Sequence, residues 1–121
     1  MWDVKVLQSF WDDLDSAVLY IAIELGNKEA AIKLDNDVRE AIESLKYFPK
    51  IYQETEYEEN MNHFRKIPIG HYLAFYLIYN ELNQVVVYNL LHSMQNINEI
   101  MKDYNKNFIE TLDVNKDYLN Q

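Results

Sequence analysis

Two arginines and three histidines are the strongest anion-binding and proton-moving groups in this 121-residue chain. Arg65 and Lys66 open a stretch, residues 64–80, that has no acidic residue. His71 lies inside it and His63 just before it, while Glu54, Glu56, Glu58 and Glu59 crowd the segment upstream. A guanidinium such as that of Arg65 can grip an anion with two parallel hydrogen bonds. An imidazole such as that of His92 can give or take a proton near neutral pH. Gln95, three residues further on, can donate a hydrogen bond, and Tyr76 and Tyr88 can donate or stack. Lys66 is next to Arg65, but neighbours on a strand face opposite ways, so only one of them serves a given site. Each group also has a plainer reading. Arg65 pairs with a glutamate of the 54–59 loop; His92 is a hydrogen-bonded strand-end residue; His63 and His71 sit in a loop and a turn. The acidic loop is solvated. Its glutamates have no further ligand nearby in sequence, so no metal site is expected, and no cofactor is implied.

The segments that position these groups alternate between β and helical patterns. Three apolar runs rich in β-branched and aromatic residues cover 64–69, 72–79 and 85–92. Gly70-His71 separates the first two, and glycine supplies the positive φ of a tight hairpin turn. A mostly polar break, 80–84, separates the last two. Tyr72, Phe75, Tyr76, Tyr79 and Tyr88 suit such a meander as packing residues. A further short strand is expected over 2–7, joined to the meander, because an isolated strand leaves its backbone groups unpaired.

Two helices are predicted between that strand and the meander. The first spans 10–25, begun by Ser9 with Asp12 three residues on. Asp12, Asp13 and Asp15 lie in its first turns, where the helix dipole favours solvated negative charge. Its buried stripe is Leu14, Ala17, Val18, Ile21 and Leu25. Leu19, Tyr20 and Ile23 fall off that stripe and either meet a partner chain or are wrapped by a second side of the fold. Gly26 ends this helix and Asn27 caps the next, 28–47, whose stripe is Ala31, Leu34, Val38, Ala41, Ile42 and Leu45. Pro49 stops it. Ile97, Ile100, Met101, Tyr104, Phe108, Ile109 and Leu112 keep a helical period, and residues 113–121 form a polar, frayed tail.

The element order is therefore β-α-α-β-β-β-α. It implies a two-layer α+β domain spanning residues 1–121, with a helical hairpin on one sheet face. The net charge of −9 disfavours generic nucleic-acid binding. There is no cysteine, which removes disulfides and thiolate metal sites. No apolar run is long enough for a bilayer, and the start lacks a secretory pattern, so the expected location is the cytoplasm.

Several stretches, in this order, resemble the RelE/ParE toxins of bacterial type II toxin–antitoxin systems, and the ParE branch more closely. Tyr20-Ile21-Ala22, Glu24-Leu25-Gly26-Asn27 and Glu29-Ala30-Ala31 look like the ParE-type helical hairpin. Glu40 to Leu45 followed by Phe48-Pro49 look like its second helix and exit. Phe64 to Gly70 with Tyr72 to Tyr76 look like the central hairpin, and Leu91-His92-Ser93 like the end of the last strand.

The resemblance implies a toxin silenced by a small antitoxin, acting on DNA gyrase if ParE-like or cleaving mRNA on the ribosome if RelE-like. A fold that only binds a partner is the third reading. RNA cleavage needs a base for the 2′-hydroxyl, a cation for the phosphorane and an acid for the leaving oxygen, without a metal. Arg65, His92 and Gln95 are the candidates for those roles. The sequence departs from the family where arginines usually stand: Met94 and Gln95 follow His92-Ser93, and Leu77 follows Tyr76. These departures and the acidic charge favour a protein target over RNA. The antitoxin is expected on Leu19, Tyr20 and Ile23 and along a sheet edge. A second copy of the chain is the other candidate for Leu19 and Ile23.

Overall fold

Gly70, at φ +58°, turns the chain between β2 (Arg65–Ile69) and β3 (Tyr72–Tyr79), as the hairpin requires. The computed structural model describes residues 1–54 and 64–95, together with Ile97 and Ile100. A short helical turn at Asn80–Leu82, closed by Asn83 at φ +54°, leads into β4 (Gln84–His92). The remaining strand, β1 (Asp3–Val6), lies parallel to β4, pairing Val4 with Val85 and Val6 with Val87. The sheet order is β1-β4-β3-β2, so the amino-terminal strand joins the meander beside its last member.

A single extra residue bends β4. Phe75 pairs with Asn89 but Tyr76 pairs with Val87, which leaves Tyr88 as a β-bulge. Pro68 on the edge strand β2 removes one donor from the outer edge, and the Lys66 N–H donates to the Gln53 carbonyl at 3.2 Å.

Helix α1 (Gln8–Leu19) and helix α2 (Lys28–Ser44) pack on one sheet face. Phe10, Leu14, Leu34, Val38 and Leu45 meet Ile67, Ala74, Tyr76, Val85 and Val87 in one buried cluster. The opposite face is apolar as well. Phe64, Phe75, Leu77, Val86, Tyr88, Leu91 and Ile97 form a second cluster, against which Ile100 packs. The central strands therefore lack the polar outer face of a half-exposed sheet.

Three details depart from the expected helices. Leu7 rather than Ser9 precedes α1, and no side chain caps it. The first helix ends in a π-helical turn, Tyr20–Glu24, marked by the Leu25 N–H donating to the Tyr20 carbonyl, 3.1 Å. The wider turn shifts the stripe's phase by roughly one residue, about 100°. Leu25 is consequently exposed, not buried. Helix α2 stops at Ser44, short of Tyr47, because Leu45, Lys46 and Tyr47 make tighter bonds back to residues 42–44. The hairpin joint is as expected: Gly26 takes φ +61°, and Asn27 Oδ1 accepts the Ala30 N–H at 3.0 Å. The further helix expected beyond the meander lies outside the described residues, apart from Ile97 and Ile100, as does the polar tail.

Candidate functional site

Strand β1 is shorter than β4, and α1 takes over the edge that it leaves. The last main-chain bond from this side runs from the Leu7 N–H to the Val87 carbonyl, 3.0 Å. At the bulge, the Ser9 hydroxyl donates to the Tyr88 carbonyl at 3.0 Å. One helical turn later, Asp13 Oδ2 accepts the Leu90 N–H, also at 3.0 Å. Two side chains four residues apart on a helix thus replace a missing strand. Asp13 is therefore not the solvated, dipole-complementing residue expected from its place in the first turns. Burial pushes its carboxyl above the usual carboxylate range; the Leu90 N–H opposes this and Asp12 adds to it.

Beyond this junction opens a cleft of about 560 Å³ between α1 and the ends of β3 and β4. Its wall includes Asp13, Ser16, Tyr20, Tyr72, His92 and Gln95. The turn after β4 locks His92 and Gln95 together. Gln95 Oε1 accepts the His92 N–H at 2.7 Å, and the Gln95 N–H donates to the His92 carbonyl at 3.0 Å. His92 Nδ1 accepts the Met94 N–H at 3.0 Å. With Nδ1 occupied as an acceptor, the neutral ring carries its proton on Nε2. The His71 ring stacks on His92, centroids 6.2 Å apart, and Tyr72 meets it edge-on at 5.1 Å. Burial, then the neighbouring Tyr20, raise the pKa of the Tyr72 hydroxyl. This corner can donate hydrogen bonds and offer a carboxylate.

Arg65 is not part of it. It sits opposite Tyr76, whereas His92 sits opposite Tyr72. Four residues of strand, roughly 13 Å, and two strand spacings, about 10 Å, separate Arg65 from His92. Its guanidinium holds the segment that leads from α2 to β2: Nη1 donates to the carbonyls of Tyr52 at 2.6 Å and Lys50 at 3.4 Å, and Nη2 meets Glu54 Oε1 at 3.4 Å. The plain reading of Arg65, pairing with a glutamate of the acidic loop, describes these contacts. The structure thus brings His92 and Gln95 together and leaves Arg65 apart.

The two candidate tyrosines are also engaged elsewhere. The buried Tyr76 hydroxyl donates to the Pro49 carbonyl at 2.6 Å, and burial raises its pKa. The Tyr88 hydroxyl is 2.8 Å from that of Tyr79, in the second sheet face's cluster. Lys66 pairs across the sheet with Phe75, and His63 lies outside the described residues. Leu19, Tyr20 and Ile23 do stand off the buried stripe, 57%, 52% and 69% exposed, with Tyr20 also at the mouth of the cleft. Asp13 is the site residue that sequence reasoning missed. Its signal was spacing, four residues after Ser9 and four before Ala17, on the flank of the buried stripe. Among the described residues no cluster of three or more His, Asp or Glu could hold a metal ion, and no helix is long and apolar enough to cross a membrane.

Similarity to known proteins agrees with this architecture. A structure described as the chromosomal ParDE TA system from P. aeruginosa aligns with a TM-score of 0.59 and 16% identity, covering 76% of this chain and 96% of that one. At that identity the likeness shows the fold alone. A conserved hypothetical protein from Helicobacter pylori covers 76% of this chain and 94% of its own at 19% identity, with a TM-score of 0.46. No curated protein matches the chain in sequence. Residues 4–97, from β1 to the first turn beyond β4, match the family described as ParE toxin of type II toxin-antitoxin system, parDE. The chain belongs to this ParE toxin family.

Proposed function

We propose that this toxin arrests growth through a protein target, DNA gyrase, and is held inactive by a cognate antitoxin. The observation that carries the choice of target is the placement of Arg65. The one arginine on the sheet is tied to the 50–54 segment, some four residues of strand away from His92 and Gln95. A phosphate at the His92 corner would have no guanidinium beside it among the described residues, although phosphorane charge needs a cation. The net charge of −9 adds a general repulsion of RNA. The exposed ridge of Leu19, Tyr20 and Ile23 is the antitoxin's docking surface.

RNA cleavage is the second reading, favoured by the Nε2 proton that His92 holds beside Gln95 at an open cleft. The experiment is induction of the gene alone in bacteria. Growth arrest with inhibited gyrase supercoiling and no new transcript ends is the expected result. Discrete new 5′ ends, relieved by His92→Ala, would establish the second reading, and healthy growth at good expression would remove both.

A further inference from the structure

We propose that the cleft between α1 and the end of β4 receives an arginine side chain of the antitoxin, anchored on the Asp13 carboxylate. The inference rests on the reading that an antitoxin holds this chain, and names the chemistry of one point of that contact. Asp13 points towards the sheet and spends Oδ2 on the Leu90 N–H. Its Oδ1 accepts no hydrogen bond among the described residues, and no lysine or arginine lines the cleft. A half-buried carboxylate without a cation is costly, and burial raises its pKa accordingly. A cation brought by a partner would offset that cost.

The walls select the kind of cation. Tyr72 and His92 meet edge to face at 5.1 Å, and Tyr20 stands beside Tyr72. Aromatic rings lining the same cleft as a carboxylate suit a planar, weakly hydrated guanidinium better than a compact, strongly hydrated ammonium. The volume, about 560 Å³, admits such a group. The carboxylate is also pre-set, since α1 and the Leu90 N–H fix its direction before anything binds. The charge of −9 calls for a partner that is basic where it touches. Tyr20 lines the cleft and also belongs to the exposed ridge with Leu19 and Ile23, so the occupant is a segment that carries apolar side chains beside an arginine.

The test is nuclear magnetic resonance on the full-length protein, titrated with Nα-acetyl-L-arginine amide and, separately, Nα-acetyl-L-lysine amide. Saturable shifts of the Leu90 and His92 amides are expected with the arginine probe, with roughly fivefold weaker binding of the lysine probe. Asp13→Asn, which keeps an acceptor for the Leu90 N–H, should weaken the arginine probe by about tenfold or more. Asp12→Asn on the same helix should leave its binding unchanged. Equal binding to wild type and Asp13→Asn, equal affinity for both probes, or no saturable shift would each overturn the proposal. The induction experiment uses neither probe. Arrest without arginine binding therefore rejects this cleft alone, and absence of arrest rejects the toxin reading.

Discussion

Asp13 and Arg65 show how a charged residue's neighbours decide its work. Because burial raises the Asp13 carboxyl in the folded chain, the folded state holds that proton to higher pH than the unfolded state. Stability therefore falls as pH rises from the ordinary carboxylate value, 3.8, through the raised one, and the penalty persists above it. Asp13→Asn is expected to remove this dependence, seen as a flatter stability–pH curve in urea unfolding as pH rises above 3.8. Asp13→Ala, which orphans the Leu90 N–H, should cost about 1–2 kcal/mol in the same measurement. Arg65→Ala should lower stability by roughly 1–3 kcal/mol, since it releases the Tyr52 carbonyl and Glu54. Under the gyrase reading its inhibition per folded molecule should stay unchanged. The short spacing of His92 and Gln95 placed both on one turn, where Gln95 Oε1 accepts the His92 N–H. The role of Asp13 was hidden, because an aspartate early in a helix is equally at home in water.

At the scale of elements, local chemistry explains what was legible. Alternating apolar runs and a glycine turn specify β2 and β3, and Asn27 after Gly26 specifies the helical joint. Asn27→Ala should cost about 1 kcal/mol of stability, by loss of the Ala30 N–H acceptor, measured by thermal or urea unfolding. The π-helical turn and the Tyr88 bulge were not legible. Each inserts one residue into a regular pattern, and packing against the rest of the fold decides where it goes. The π-helical turn exposes Leu25. The bulge turns the backbone of Tyr88 and Leu90 towards Ser9 and Asp13.

For the molecule as a whole, two-layer α+β architecture followed from element order, and pairing of β1 followed from the need to satisfy its backbone. The second buried face was not foreseen, because runs such as Val85-Val86-Val87 carry no alternation to say which side is wet. The exposed ridge gives a prediction at this scale. Leu19→Ser combined with Ile23→Ser should leave urea stability within about 0.5 kcal/mol, since neither side chain is buried. The same pair should weaken antitoxin capture by about tenfold or more, read by calorimetry with the product of the adjoining gene. If wild type instead self-associates through the ridge, size-exclusion chromatography will show the double variant eluting later.

The parallel contact of β1 with β4 also sets an order of events during synthesis. Among the described strands the first in sequence lies against the last, with some eighty residues between Asp3 and its partner Gln84. The helical hairpin can form from local contacts while β1 waits for its neighbour. A chain halted before β4 emerges leaves β1 without its parallel neighbour, so neither the four-stranded sheet nor the cleft at the end of β4 can exist until that strand has been made.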